Sequence, residues 1–310
     1  MRRRPSRLVM GAAAALAVAL VAAGCEAKVY GTTPAPPKAP PVTGVAPQGE
    51  LAPLPQAPPD EPAATFDGLA DRARQATADA AKAGAKISAV VLDRNTGQIV
   101  SSGDQPFPIA SVVKLFIADD LLMRDEPLSP VDRRSLDVML RSSDDSAAEI
   151  FWNQLGGSAV IGRIVARYKL TGTSAPYDGH WDVTLSTASD LVRYYDMLLD
   201  GSGGLPRDKA EIILSNLALS TPMAIDGTQP GGVYPQRFGI PDGLYAEPVA
   251  VKQGWFCCWN GANQLHVSTG VIGPERRYVM AISSLQPTDP AAARNTITQV
   301  VKTMFPGGRI

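Results

Sequence analysis

The sequence predicts an α/β (α+β) domain with two lobes: a five-stranded antiparallel sheet covered by N- and C-terminal helices, and an all-helical lobe. Three observations lead to this fold class. Strand-like runs occur in two groups, at 87–102 and 249–283, and helical patterns separate the groups. An amphipathic helical pattern also stands at each end of the domain, at 66–83 and 289–305.

The first half of the domain is predicted to contain a helix, a hairpin and a central helix. Apolar residues recur every three or four positions over 66–83, as in an amphipathic helix. Strands over 87–93 and 98–102 are separated by a turn at 94–97 that is typical of a tight hairpin. The helix that follows Pro108 is apolar on most of its sides, so we expect it to be central and buried.

The helical lobe is predicted to occupy about residues 106–245. Its further helices are expected at 130–140, 145–154, 160–168, 187–199 and 207–217. A Gly- and Pro-rich loop is expected at 226–243. The last three strands are expected at 249–255, 264–272 and 278–283.

Residues 1–24 are predicted to be a lipoprotein signal peptide. Four arginines precede an apolar run at 8–21, which is too short for a comfortable membrane span. The run ends in Ala22-Ala23-Gly24-Cys25, which resembles a bacterial lipobox and implies a lipid on the Cys25 thiol. The alternatives are an ordinary secretory signal that contains a cysteine and, with weaker support, a twin-arginine export signal.

Residues 25–64 are predicted to be a lipidated cysteine followed by a disordered tether. Of the 39 residues from 26 to 64, 11 are proline, and almost none is large and apolar. An extended Pro-rich chain rises about 3.1 Å per residue, so the tether would reach roughly 100 Å. We therefore expect a domain at the cell membrane, lipid-anchored on the extracytoplasmic face. The alternative is that this segment is a passive disordered spacer, an interpretation that differs little from a tether.

The domain itself is expected to span residues 65–305 and to bind neither nucleic acid nor a metal. The net charge is −1 and its basic residues are dispersed, which argues against nucleic-acid binding. Cys257 and Cys258 are adjacent, so they form either a strained vicinal disulfide or two thiols. There is no C-x-x-C motif, and the two histidines, His180 and His266, do not make a zinc site or indicate another cofactor.

Three short motifs occur in a fixed order, at 111–114 (S-x-x-K), 143–145 (S-D-D) and 252–254 (K-Q-G). They resemble the S-x-x-K, S-D-N and K-T-G motifs of the class A serine β-lactamase and penicillin-binding-protein superfamily. The resemblance covers about residues 65–305 and implies the same fold. Only the first motif is intact, so the chain looks like an alanine-rich, mycobacterial-type lipoprotein with degenerate motifs.

Ser111 and Lys114 are the candidate nucleophile and base. Residues three apart share a helix face, so the two side chains can meet. A serine hydroxyl is a poor nucleophile until a neighbouring group takes its proton, and an unprotonated lysine can do so.

Ser143 is implied by the resemblance to pass a proton to the leaving group, although Ser and Asp are also common helix caps. Asp145 stands where the family has Asn and is a candidate substrate-binding residue. A carboxylate accepts hydrogen bonds but does not donate to a substrate carbonyl. It also favours the charged form of Lys114, so Asp145 argues against an efficient catalyst.

The K-Q-G motif lies in a predicted strand, as K-T-G should. By resemblance, Lys252 would be a catalytic residue that relays the proton together with Ser143. Lys252 and Gln253 would also contact a substrate carboxylate, and Gly254 would let the substrate approach the strand. The backbone N–H of Trp255 would join an oxyanion hole with that of Ser111. Plain core packing of the Trp255 indole is an equal alternative.

Class A enzymes also use a glutamate on the loop after the helical block, and residues 170–182 contain none. Asp178 or Asp182 would be the substitutes, with shorter side chains. His180 and Trp181 lie in the same loop near the expected cleft, so a ligand contact is one interpretation. His266 falls in a strand and is expected to be a packed or hydrogen-bonded structural residue.

The leading functional hypothesis is a weak serine hydrolase at the cell envelope. Ser111 would be acylated slowly by a β-lactam or a D-Ala-D-Ala-like cell-wall peptide, with poor deacylation and no robust β-lactamase activity. The alternative is a catalytically degenerate binding or scaffolding module. A weaker third option is an esterase that uses the same Ser-Lys pair.

Overall fold

The computed structural model describes residues 27–30, 66–124 and 126–310, so the predicted signal peptide and most of the predicted tether lie outside it. The strands are β1 Ala27–Tyr30, β2 Lys86–Asp93, β3 Gln98–Ser102, β4 Phe107–Pro108, β5 Leu185–Ser186, β6 Met223–Ile225, β7 Val233–Pro235, β8 Val249–Trp259, β9 Asn263–Ile272 and β10 Tyr278–Gln286. The helices are α1 Leu69–Lys82, α2 Lys114–Leu122, α3 Pro130–Arg141, α4 Asp145–Gln154, α5 Ala159–Tyr168, α6 Ala188–Asp200, α7 Arg207–Ala218, α8 Ile240–Gly243 and α9 Pro290–Met304. Over the described residues, none of these helices has the length and apolarity to cross a membrane.

The main sheet is antiparallel and has the strand order β1-β3-β2-β10-β9-β8. Five of its strands, β2, β3, β8, β9 and β10, are the five predicted from the sequence. The turn at 94–97 joins β2 to β3 as expected. β8 extends to Trp259, beyond its predicted end at 255.

The strand β1 is a correction to the predicted tether. Its four residues pair antiparallel with β3 and add a sixth strand at the sheet edge. The segment Ala-Lys-Val-Tyr contains no proline, and Val and Tyr favour strands. Edge strand β3 offers unpaired backbone groups that a passing extended segment can satisfy. The prediction of disorder is therefore wrong for residues 27–30.

The terminal helices α1 and α9 cover one face of the sheet, as predicted. Their buried positions follow the sequence periodicity and pack into one apolar cluster, comprising Leu69, Ala73, Ala76, Ala80, Ile297, Val300, Val301 and Met304. The other sheet face packs against the helical lobe in a second cluster.

The helical lobe is built around α2. All nine residues of α2 are buried, which confirms the expected central helix. The side chain of Ser129 caps α3, where Pro130 is the first residue, and Asp144 caps α4. The strand β7 and the helix α8 occupy part of the loop predicted over 226–243, and β7 pairs with β6, which lies just before that loop. These elements are too short to show a periodic pattern. The Gly and Pro content of the segment therefore predicted a loop.

Candidate active site

Ser111 lies in a 3-10 turn, Ala110–Val113, that leads directly into α2. The sequence predicted that Ser111 lies in the helix itself. The three-residue spacing nevertheless brings the Ser111 and Lys114 side chains together, as predicted. Lys114 is the first residue of α2, and its Nζ lies 2.8 Å from Ser111 Oγ. The turn contacts β8 on one side and the turn Trp181–Val183 on the other.

Two residues of the site have backbone conformations that non-glycine residues rarely adopt. Ala110, directly before Ser111, has φ 46°, and Ser143 has φ 60°. Such conformations cost about 1–3 kcal/mol each and cluster at functional sites, where the surrounding structure maintains them. Their position beside Ser111 and Lys114 supports the choice of this region as the candidate site.

Ser143 joins the two lysines. Its Oγ lies 3.1 Å from Lys114 Nζ and 2.9 Å from Lys252 Nζ. Its carbonyl oxygen also accepts a hydrogen bond from Lys114 Nζ at 2.7 Å. Ser143 occupies the turn between α3 and α4, and Lys252 extends from β8, so three distant segments meet at one hydroxyl.

Burial lowers the pKa values of both lysines. The pKa of Lys114 falls because its ammonium is removed from water, while the Asp145 carboxylate opposes this effect. The pKa of Lys252 falls well below its usual value, because of burial and because Lys114 adds a nearby positive charge. The sequence-based argument considered only Asp145, so it missed the larger effect of burial on Lys114.

Asp145 forms an ion pair with Lys114, with Oδ1 2.5 Å from Nζ. Its side chain is 45% exposed, whereas that of Lys114 is 0% exposed. The carboxylate therefore lies between solvent and the buried lysine. This position is consistent with the prediction that Asp145 faces a substrate.

The K-Q-G strand brings two of its three residues to the site. Lys252 reaches Ser143 Oγ, and Gly254 faces the 3-10 turn, where an added Cβ would lie 2.5 Å from the Ile109 carbonyl oxygen. Gln253 points to the opposite face, as alternation along a strand requires. Its Nε2 donates to the Phe238 carbonyl at 2.6 Å, and the side chain is buried. The predicted contact between the Gln253 amide and a substrate is therefore wrong.

The Trp255 indole packs in the core beneath the sheet. It stacks on Tyr234 with ring centroids 4.8 Å apart, and its Nε1 donates to Asp226 Oδ2 at 2.8 Å. This favours the packing interpretation for the side chain. The role of its backbone N–H in an oxyanion hole stays a prediction. Sequence reasoning did not find Asp226, which lies in the loop expected to be irregular.

The loop at 170–182 presents Trp181 to the site instead of a carboxylate. The Trp181 ring centroid lies 4.8 Å from Lys114 Nζ. Asp178 is exposed and accepts a hydrogen bond from the His180 backbone at 3.0 Å. Burial raises the pKa of Asp182. Neither aspartate is a hydrogen-bond partner of Lys114 among the described contacts, and their substitution for the glutamate stays a prediction.

The remaining predictions concern histidines and cysteines. His266 is fully buried and shares a hydrogen bond with the Tyr234 hydroxyl at 2.7 Å, as expected for a structural residue. His180 is exposed in the loop. Cys257 and Cys258 are bonded to each other as a disulfide near the end of β8. This resolves the two alternatives left open by the sequence.

No family model matches the chain. The chain is 55% identical over 323 aligned residues to the protein named "Putative lipoprotein LppW" of Mycobacterium tuberculosis, and the match covers 100% of both chains. The corresponding protein of Mycobacterium bovis gives the same values.

Solved structures of class A β-lactamases have the same fold. The β-lactamase of Streptomyces albus G matches with a TM-score of 0.57 and 18% identity over 76% of this chain and 98% of that one. The class A β-lactamase of Mycobacterium abscessus matches with a TM-score of 0.54 and 20% identity over 74% and 97%. At these identities the likeness concerns the fold. The chain thus belongs to the LppW lipoprotein family, and its folded part has the class A β-lactamase fold.

Proposed function

We propose that the chain is a cell-envelope lipoprotein whose Ser111 is slowly acylated by β-lactams or by D-Ala-D-Ala-like amides. The observation that carries the proposal is one continuous hydrogen-bonded chain. It runs from Ser111 Oγ to Lys114 Nζ at 2.8 Å, to Ser143 Oγ at 3.1 Å and to Lys252 Nζ at 2.9 Å. A nucleophile, a base and a proton donor for the leaving group are therefore in direct contact.

The contacts of Lys114 allow a neutral amine as well as the charged form that the Asp145 ion pair favours. The Ser143 carbonyl and the Asp145 carboxylate only accept hydrogen bonds, and together they take two N–H groups. A neutral amine has two N–H groups and one lone pair. The lone pair is then available to the Ser111 hydroxyl, and the burial that lowers the pKa of Lys114 favours the same state.

Acylation would proceed as follows. Ser111 Oγ attacks the carbonyl carbon of the amide, and its proton passes to Lys114 Nζ. The C–N bond breaks, and the leaving nitrogen takes a proton from Ser143 Oγ, which regains one from Lys114. The products are a Ser111 ester and a free amine, and Lys252 stabilises Ser143 while its proton is in transfer.

Two features make the reaction slow. Asp145 holds Lys114 and favours its charged form, which does not accept a proton. Gln253, whose side chain is turned into the core, provides no donor for a substrate carboxylate. We therefore expect weak acylation and no robust β-lactamase activity.

Labelling with a fluorescent penicillin tests the proposal. We expect the detergent-solubilised full-length protein to become labelled, and expect Lys114→Ala and Lys252→Ala to reduce the labelling rate by at least roughly 100-fold, as loss of acid–base catalysis does. Equal labelling of all three proteins would contradict the proposed relay.

A catalytically degenerate binding module is the second candidate, and the buried Gln253 amide favours it. Restoring both family residues, with Asp145→Asn and Gln253→Thr, separates the two candidates. A weakened enzyme gains reactivity toward the penicillin, whereas a binding module gains none.

Membrane anchoring through Cys25 is part of the same proposal, and its support is the lipoprotein name of the relatives. Cys25→Ala is expected to move the protein from the membrane fraction to the soluble fraction. Unchanged membrane retention would contradict a lipid anchor on Cys25.

A further inference from the structure

Trp181 lies beside the buried lysine of the site and also borders an open pocket. The pocket has a volume of about 480 Å³ and is lined by Trp181 together with Asp145, Ser146, Glu149 and Ile150. The Trp181 ring centroid lies 4.8 Å from Lys114 Nζ. Lys114 itself is fully buried.

One hydrogen bond holds the Trp181 ring, and a backbone hydrogen bond holds the turn that carries it. Its Nε1 donates to Glu149 Oε2 at 3.2 Å, and the other oxygen of Glu149 accepts from Asn153 at 2.9 Å, both on α4. The backbone N–H of Ile109 donates to the Thr184 carbonyl at 2.9 Å. The Trp181 turn is thus attached to the chain two residues before Ser111.

Lys114 Nζ has few directions left for a water molecule. Its neighbours are Ser111 Oγ, the carbonyl and hydroxyl of Ser143, the Asp145 carboxylate and the Trp181 ring. The face of an indole offers a water no lone pair, and the single indole N–H is already bonded to Glu149.

Hydrolysis of a Ser111 ester needs such a water. Its oxygen adds to the ester carbon while a base takes one of its protons, the bond from that carbon to Ser111 Oγ breaks, and the proton returns to Ser111. We propose that Trp181 is a positioning residue that keeps water away from Lys114 and from the ester, so that the acylated protein is long-lived. The inference rests on the proposed function and deepens it: the chain retains a bound acyl group instead of turning it over.

The lifetime of the acylated protein in matched variants tests the inference. The full-length protein and its Trp181→Ala, Trp181→Glu and Trp181→Phe variants are treated with a penicillin, freed of excess ligand and followed by intact mass. Tyr177→Ala is the matched control, because Tyr177 lies in the same loop and is 79% exposed. Melting temperatures separate a loss of folding from a change in lifetime.

We expect Trp181→Ala to shorten the adduct lifetime at least roughly tenfold, which corresponds to about 1.4 kcal/mol in the deacylation barrier. Trp181→Glu should shorten it further, because it adds a carboxylate base. Trp181→Phe should stay within about twofold of the wild type, since the ring is retained. A Trp181→Ala adduct as long-lived as that of the wild type would overturn this inference alone. Absence of any adduct on the wild type would overturn the proposed function and the inference with it.

Discussion

At Lys114, burial and one carboxylate act on the same amine in opposite directions. Loss of water lowers its pKa, and Asp145, with Oδ1 2.5 Å from Nζ, raises it. In the proposed mechanism, this balance sets what fraction of Lys114 is neutral and able to act as the base. An uncharged side chain at position 145 would leave the effect of burial on the pKa of Lys114 largely unopposed.

Asp145→Asn is expected to increase the fraction of Lys114 that is neutral. Without the carboxylate the pKa of Lys114 falls further, so the neutral amine persists to lower pH and the acylation rate rises at a more acidic pH than in the wild type. A shift of one pKa unit would give roughly tenfold faster acylation on the acidic limb. The measurement is the rate of adduct formation against pH. An unchanged or more basic profile would contradict the role given to Asp145.

Gly254→Ala is expected to disturb the site and the fold together. Its Cβ would lie 2.5 Å from the Ile109 carbonyl oxygen, so β8 must move away from the Ser111 turn. We expect a loss of about 1–3 kcal/mol in the free energy of unfolding. Gly227→Ala is the matched control, because no atom lies within 4 Å of its added Cβ. Denaturant unfolding of both variants checks the prediction, and equal stability would contradict the tight packing.

Single residues of the site were predictable to different degrees. Ser111, Lys114, Ser143 and Lys252 were found because each belongs to a short motif with a fixed spacing. Gln253 was predicted to contact a substrate, although the alternation of side chains along a strand places it on the face opposite Lys252. The position of Trp181 over Lys114 was not predictable, because nothing in the sequence links two residues 67 positions apart.

At the scale of an element, β9 carries a buried histidine that is held neutral. His266 shares a hydrogen bond with Tyr234, and burial, with a smaller contribution from Arg294, lowers its pKa from 6.5 to about 3. The unfolded chain therefore binds a proton at this residue at pH values where the folded protein does not. The contribution of His266 to the free energy of unfolding is therefore complete above about pH 6.5 and is lost as the pH falls toward 3.

His266→Gln is expected to reduce the acid sensitivity of the protein. The fall in melting temperature between about pH 7 and pH 4.5 should be smaller than in the wild type by a few degrees. Thermal unfolding at both pH values provides the measurement. An equal fall in both proteins would show that His266 is not responsible for the acid sensitivity.

Element types were predicted better than element details. The central helix α2, the terminal helices and the five strands followed from periodicity, because long apolar patterns leave few alternatives. The 3-10 turn at Ser111, the ribbon of β6 and β7 and the extension of β8 to Trp259 did not follow. Each depends on contacts with distant segments, which a local pattern does not contain.

At the scale of the whole molecule, β1 changes the expected relation between the domain and the membrane. Only Glu26 separates Cys25 from β1 in the sequence. If Cys25 carries the lipid, the pairing of β1 with β3 places that sheet edge near the bilayer, rather than at the end of a tether of roughly 100 Å. The high proline content of 26–64 concealed this strand, because the four proline-free residues are a small part of the segment.

Val29→Pro tests the pairing of β1. Proline lacks a backbone N–H and does not fit a paired strand of four residues. We expect faster amide hydrogen exchange in β3 with little change in the melting temperature, since the rest of the sheet is retained. Unchanged exchange over residues 98–102 would mean that β1 does not protect this edge.

The acylation of Ser111 is the central claim for the whole molecule, and intact mass spectrometry tests it most directly. The full-length protein is incubated with a penicillin beside Ser111→Ala and beside Ser146→Ala, an exposed serine that lines the neighbouring pocket. We expect a mass increase of one ligand on the wild type and on Ser146→Ala, mapped to the peptide that contains Ser111, and none on Ser111→Ala. An adduct that persists on Ser111→Ala, or no adduct on the wild type at high ligand concentration and long times, would contradict the account.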